Sequence, residues 1–289
     1  MILNRLSITL AIFTLVYTSS LASAQQIKVE ADRRYDALTW VQNSAEYKLL
    51  ARQTYGLALT QLSVGVQDRK WSADEVQVAD GGFEDKTPAV ILDCDETVLD
   101  NSFYNARNVV TGKQYDRDAW NDWCVEGRAE AVPGALEFIK AAEGLGVKIF
   151  YITNRQDVVK DVTIKNLNKL GFKCDEHNVF TKNEAEGRGH DKVSRRAMVA
   201  KDHRIVLLIG DNMGDLCSGM SVPNTKRRNE VALEKSEMLG SRWIMIPNPV
   251  YGSWQRSLPE GDKALKTKST PEKEVDGDDE SDGDETDKN

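Results

Sequence analysis

Asp93 and Asp95 are two carboxylates one residue apart at the end of a short apolar run, Ala89-Val90-Ile91-Leu92, and Glu96 follows directly. The run is bounded by Pro88 and by charge, and it predicts a strand buried on both faces. Side chains two apart on a strand leave on the same side, and an irregular turn there can bring both carboxylates onto one ligand. In open α/β sheets ligands collect beyond the carboxyl ends of parallel strands. A D-x-D pair alone reads equally well as a solvated acidic turn. Its place at a strand end, extended by Glu96-Thr97-Val98-Leu99-Asp100-Asn101-Ser102, is what points to chemistry.

Other strand ends carry polar groups as well. Val147–Ile152 reads as a second buried strand closing on Thr153-Asn154-Arg155. A hydroxyl there can hydrogen-bond a phosphoryl oxygen, although a threonine at such a place is more often a cap. Ile205–Ile209 is the clearest buried strand and ends in Gly210-Asp211-Asn212-Met213-Gly214-Asp215. Lys192 opens a helix within Gly189–Arg196, where a cation opposes the helix dipole and so invites a reason for being there; His190 is read as a surface residue. Between Ser102 and Val132 the β–α rhythm breaks and aromatic residues gather: Phe103, Tyr104, Tyr115, Trp120 and Trp123. This stretch predicts a small cap over the strand ends. Trp120 and Trp123, three apart, share a helix face that is core by default, yet such rings also suit stacking on a nucleobase.

The elements that must position these groups are legible in outline. Tyr47, Leu50, Ala51, Thr54, Ala58 and Leu62 recur at helical spacing and predict one helix from Asp36 to about Leu62. Lys70–Thr87 reads as a polar connection. Pro133 opens a helix carrying Leu136, Ile139 and Ala142, ended by Gly144 and Gly146, and Asp157–Leu170 is a further helix stopped by Gly171. Asn178–Phe180 and Trp243–Ile246 are shorter strands. Five strands alternating with helices predict an α/β fold: a doubly wound parallel sheet with a small helical cap.

The ends have a different character. Met1–Ala24 carries Arg5, an apolar stretch from Leu6 to Tyr17 and a small-residue finish at Ala22-Ser23-Ala24, the pattern of a secretory signal peptide cut after Ala24. One domain is expected over 25–260, with the cap insertion at about 102–132, and 261–289 is expected to be a disordered acidic tail. From Pro271 to Asn289 ten acidic residues and two lysines give −8, the net charge of the whole chain. The remainder therefore balances, which argues against a nucleic-acid polymer or an anionic membrane as partner. Cys94, Cys124, Cys174 and Cys217 lack C-x-x-C spacing, so zinc is not expected. Cys94 reads as a small buried hydrophobe, and one disulfide among the other three stays open.

The string Ile91-Leu92-Asp93-Cys94-Asp95-Glu96-Thr97-Val98-Leu99-Asp100-Asn101-Ser102 resembles the first motif of the class C acid phosphatases of the haloacid dehalogenase superfamily. Ile152–Arg155 resembles the superfamily's second motif, Asp191–Arg196 its third, and Asp211 with Asp215 its fourth. Trp40, Ser44–Tyr47, Ala131–Ala135 and the loop Pro247–Trp254 are also similar to the family, so the resemblance spans Trp40 to Trp254. Two positions depart from it: Cys94 stands where relatives carry Leu or Ile, and Leu216 where they more often carry Phe.

The resemblance implies a haloacid dehalogenase-like Rossmannoid core and a secreted or periplasmic, magnesium-dependent acid phosphatase. It implies Asp93 as nucleophile and Asp95 as the acid and base, protonated at the outset by carboxylate crowding and so favouring an acidic optimum. It implies Thr153 and Lys192 on the phosphoryl group, and Asp93, Asp211 and the Asp95 backbone carbonyl on Mg2+, with Asp215 bracing Lys192 or a metal-bound water. Tyr104, Trp120, Trp123 and Tyr251 would stack on the leaving group of a small phosphomonoester such as a nucleoside 5′-monophosphate. No cysteine lies near Ala24, so the lipid anchor of several relatives is not expected; a homo-oligomer is compatible with the sequence. The alternative is a storage or cation-binding protein on the same fold, for which the tail's loose echo of a calcium loop offers poor support.

Overall fold

The computed structural model describes residues 32–220, 222 and 224–259. The leader expected over 1–24 and the tail expected over 261–289 lie outside them. Five parallel strands form the centre: β1 (Thr87–Leu92), β4 (Lys148–Gln156), β5 (Val179–Lys182), β6 (His203–Gly210) and β7 (Trp243–Met245), in the order β5-β4-β1-β6-β7. A separate antiparallel pair, β2 (Leu99–Asp100) and β3 (Glu130–Ala131), brackets in sequence the helices α4 (Ser102–Thr111) and α5 (Arg117–Glu126). β1 lies between β4 and β6, so Asp93 emerges at the middle of the sheet.

The sheet is covered on both faces because its strands are apolar on both. Val90 and Leu92 pack with residues of α2 (Ala45–Gln67), α6 (Ala135–Gly144) and α7 (Lys160–Lys169). Ala89 and Ile91 pack with α8 (Val193–Ala200), α10 (Thr225–Glu234) and Trp243. Alternation with period two on a fully buried strand is what a doubly wound sheet requires.

The helices expected from the sequence form with corrections. The expected Asp36–Leu62 helix is two: α1 (Tyr35–Asn43) stops at Ser44, whose extended backbone and hydroxyl, accepting from Tyr47 N at 3.1 Å, cap the start of α2. The buried stripe of α2 runs through Tyr47, Ala51, Tyr55, Ala58 and Leu62, while Leu50 is 39% exposed. The stretch Lys70–Thr87 is not only a connection. Asp74 caps a short helix, α3 (Glu75–Asp80), and Trp71 Nε1 donates to Val206 O at 2.9 Å. Gly65 makes that approach possible, since a Cβ there would lie 2.6 Å from Val206 Cγ1 and 2.8 Å from Trp71 Nε1. Arg204 then donates to the carbonyls of Gly65 and Asp68 at 2.8 Å, closing the C-terminal end of α2. Pro133 precedes α6 rather than opening it; Gly134, at φ 93°, turns the chain into the helix at Ala135.

All four cysteines are free, and Cys94 is buried in the core as expected. No helix among the described residues is long and apolar enough to cross a membrane.

Candidate active site

The C-terminal ends of β1, β4 and β6 meet at one place. The backbone holds Asp93 there, since its N–H donates to Ile209 O at 2.9 Å and extends the β1–β6 ladder by one bond. Asp93, Asp211 and Asp215 bring one carboxylate oxygen each to within 4.8 Å of one another. The Asp215 carboxylate reaches back to Asn212 N at 2.9 Å, closing a capping box around the short helix α9 (Met213–Leu216). Gly210 lets it do so: a Cβ at that position would stand 2.4 Å from Asp215 Cβ.

Lys192 enters from the start of α8, is 3% exposed, and pairs with Asp93 and, at 2.7 Å, with Asp215. The unfavourable placement against the helix dipole is therefore offset by two carboxylates, Asp93 buried and Asp215 partly so. Those carboxylates hold the Lys192 ammonium above its ordinary range against the opposing effect of burial. Burial pushes Asp93 up to about 7, with Asp215 and Asp95 adding to the rise and Lys192 opposing it. Asp211 is pushed well above the carboxylate range by burial and then by Asp215 and Asp93. Its oxygens accept from Asn248 Nδ2 at 2.8 Å and Thr97 Oγ1 at 3.5 Å. Three carboxylates with one lysine among them make an oxygen-rich, under-neutralised donor set, which fits a hard divalent cation.

Asp95 turns a different way. Its carboxylate meets Arg155 at 2.8 Å, Asn101 Nδ2 at 3.0 Å and Thr153 Oγ1 at 3.2 Å. Its carboxylate is not one of the three that cluster at Asp93, Asp211 and Asp215, and it is held instead by Arg155, Asn101 and Thr153. Arg155 is the main residue the sequence reading left without a role. It is 1% exposed and lies two residues beyond Thr153, on the same side of β4. That period-two relation was the available signal. Asn101 is also buried: its Oδ1 accepts from Trp123 Nε1 at 2.8 Å and from Arg155 at 3.2 Å.

The aromatic residues divide. Trp123 and Tyr104 are 2% and 3% exposed, with ring centroids 6.2 Å apart, so both are core and neither offers a ring face for stacking. Trp120 and Tyr251 stay partly exposed. Trp120 packs edge-on against Tyr104 at 5.0 Å and faces the Arg155 guanidinium at 5.6 Å. Tyr251 OH donates to Glu96 Oε2. Glu96 has φ 56°, the one positive value among the described non-glycine residues, and its other oxygen accepts from Asn101 N at 2.9 Å. Burial, then Asp95 and Asp211, push the Glu96 carboxyl well above its ordinary range.

These shifts set the pH dependence of the metal-free protein. Asp93 stands near 7 in the folded chain against 3.8 ordinarily, so between those values the folded state keeps a proton that the unfolded chain has released. The stability carried by that proton is complete below the ordinary value and is lost as pH rises through about 7. Asp211 and Glu96 act in the same direction. The Tm of the metal-free protein is expected to fall from about pH 5 to about pH 8, less steeply in Asp93→Asn, and a divalent cation should restore more at the higher pH. Calorimetry across that range checks it; a metal-free Tm with no more pH dependence than that of Asp93→Asn would contradict the assignment.

Comparison with known proteins agrees with the geometry. The family model of the HAD superfamily, subfamily IIIB (acid phosphatase), matches residues 8–254. The class C acid phosphatase of Bacillus anthracis superposes with a TM-score of 0.67 at 35% identity, over 78% of this chain and 88% of that one. Its structure with tungstate bound gives 0.67 at 34%, over 82% and 92%. Acid phosphatase 1 of Solanum lycopersicum is 31% identical over 147 residues, 48% of this chain and 56% of that protein. A stem 28 kDa glycoprotein of Glycine max is 26% identical over 166 residues, 56% of this chain and 58% of that one. The chain thus spans little more than half the length of these two curated relatives. A doubly wound sheet, an acidic cluster closed by a buried lysine and the match over residues 8–254 together place this chain in the HAD superfamily, subfamily IIIB, the acid phosphatases.

Proposed function

We propose that the protein is an exported, magnesium-dependent acid phosphatase that hydrolyses nucleoside 5′-monophosphates through an aspartyl-phosphate intermediate. The observation that carries the reading is the convergence of Asp93, Lys192, Asp211 and Asp215 beyond the ends of β1 and β6. Asp93 attacks phosphorus, the ester oxygen departs, and Asp95 delivers its proton to that oxygen. In the second half-reaction Asp95 takes a proton from water, which attacks the acyl phosphate and regenerates Asp93. Lys192 and Thr153 hold the phosphoryl oxygens, and Arg155 and Asn101 fix the direction of Asp95. Asp93 and Asp211, with Asp215 beside them, would hold a magnesium ion, which would supply neutralisation of phosphoryl charge. The tetrahedral oxyanion tungstate, carried by one Bacillus anthracis structure, has the shape this site would accept. Export rests on the leader-like sequence of 1–24.

Substrate preference rests on the two aromatic residues that remain open. Base stacking on Trp120 and Tyr251 is worth roughly 1–3 kcal/mol per base, so kcat/KM for a nucleoside monophosphate should exceed that for glycerol phosphate about five- to a hundredfold. Trp120→Ala and Tyr251→Ala should narrow that ratio. Equal values for the two substrates in the wild type would remove the stacking reading and leave the phosphatase reading standing.

A storage protein without turnover is the second reading, favoured by the 28% identity over 164 residues to vegetative storage protein 2 of Arabidopsis thaliana. It predicts no hydrolysis of any phosphate ester with magnesium present.

A further inference from the structure

The loop after β7 brings one uncharged side chain to the acidic cluster. β7 runs beside β6 with Met245 level with Gly210, and Ile246 N donates to Gly210 O at 2.8 Å. The chain leaving β7 is therefore carried alongside Asp211, the residue after Gly210. It leaves as Pro247-Asn248-Pro249. Pro247 has a fixed φ and Pro249 keeps Asn248 out of the helical region, so this stretch has little backbone freedom to lose on folding. The side chain is fixed as well. Asn248 Oδ1 accepts from Val250 N at 2.9 Å and from Tyr251 N at 3.4 Å, the turn an asparagine makes with the backbone that follows it. With the oxygen so engaged the amide nitrogen points the other way, and it donates to Asp211 Oδ2 at 2.8 Å.

The rest of the loop is pinned to the neighbouring motifs. Tyr251 OH donates to Glu96, and Ser253 Oγ donates to Asn212 Oδ1 at 2.6 Å. Gly252 permits this fit, since a Cβ there would lie 2.6 Å from Trp254 Cδ1. Asp211 has few other holds. Lys192 pairs with Asp93 and Asp215, and Asp211 is left, among the described residues, with Asn248 and the long 3.5 Å contact from Thr97 Oγ1. Repulsion from the other two carboxylates of the cluster would turn an unheld Asp211 away. A second lysine would hold it too, but would cancel the negative charge that attracts a cation. A neutral amide fixes one carboxylate oxygen and leaves the charge in place.

We propose that Asn248 is a positioning residue for the cation site, holding the Asp211 carboxylate in the orientation that receives a divalent ion. The inference rests on the reading of Asp93, Asp211 and Asp215 as that site and adds the group that presets it. A ligand already oriented has less freedom to lose when the ion arrives, and partners that orient ligands in this way are worth about 10–100-fold in metal affinity.

The test is titration of magnesium chloride into wild-type protein, Asn248→Ser and Gln255→Ala, read by isothermal calorimetry. Serine keeps a hydroxyl that accepts from the backbone two residues on, so the turn survives, but it ends too short to reach Asp211. Gln255→Ala removes the 3.4 Å bond from Gln255 Nε2 to Val250 O in the same loop and leaves Asn248 in place. Asn248→Ser is expected to bind magnesium about 10–100-fold more weakly, and Gln255→Ala as tightly as the wild type. The magnesium concentration for half-maximal turnover should rise by the same factor in Asn248→Ser, with kcat at saturation near the wild-type value. Unchanged affinity in Asn248→Ser, or an equal loss in Gln255→Ala, overturns the positioning role and leaves the cation site standing. Wild-type protein that takes up no magnesium overturns both. Should Asn248→Ser fail to fold, Asn248→Thr, closer in volume, takes its place; loss of the fold in both overturns the inference, because Asn248 would then hold the loop rather than the ligand.

Discussion

Asp93→Asn is expected to leave a folded protein whose kcat for phosphomonoesters is lower by about 10⁴-fold or more. The amide has the shape of the carboxylate but is a poor nucleophile, and no neighbour can replace it. Asp95 is turned into Arg155 and Asn101, and Asp211 is tied to Asn248 and Thr97. The substitution also removes one of three close carboxylates, the buried one, so the metal-free Tm should hold or rise at neutral pH. Kinetics and calorimetry on one preparation check both parts. Near-normal turnover in a folded Asp93→Asn protein would end the covalent mechanism.

The second large effect belongs to Lys192. Methionine at this position keeps the length of the side chain and removes a cation paired with both Asp93 and Asp215. Breaking a buried ion pair by deleting one partner costs about 3–5 kcal/mol, because the other charge is left uncompensated. The metal-free Lys192→Met protein should therefore melt well below the wild type, and a divalent cation should recover part of the loss. Turnover should fall about 10²–10³-fold even in the metal-loaded protein, since a donor to the transferring phosphoryl group is gone. A Lys192→Met protein as stable and as active as the wild type would show that the lysine only fills space.

The sequence showed the sheet because its strands are buried on both faces and so read as unbroken apolar runs ending in charge, Ile205–Gly210 most plainly. Helix boundaries were less legible. The apolar spacing of α1 continues into α2 across Ser44, and a serine cap followed at its third helical position by Tyr47 rather than Glu gives a weak stop signal. Leu50 sits about 100° around the helix from Ala51, enough to take it out of the stripe that Tyr55 fills.

In the site, the residues at strand ends were readable, but those that orient them were not. Arg155 acts through burial and through Asp95, Asn101 and Trp120, long-range neighbours that no spacing reveals. Glu96 was counted among the acids of the motif, although its positive φ and its bond to Tyr251 join the first motif to the last loop. The two tryptophans show the limit of periodicity. Residues three apart on a helix share a face but differ by about 60°, and here that difference buries Trp123 against Asn101 while Trp120 stays at the rim.

The central claim is that Asp93 carries the phosphoryl group, and the direct measurement is to trap it there. Wild-type protein turning over a nucleoside monophosphate with magnesium is quenched in acid, digested and mapped by mass spectrometry. The account predicts one added phosphoryl group on the peptide containing Asp93, removed by hydroxylamine, and absent from Asp93→Asn treated alike. Steady turnover with no modified peptide, or with the group on another residue, would contradict it.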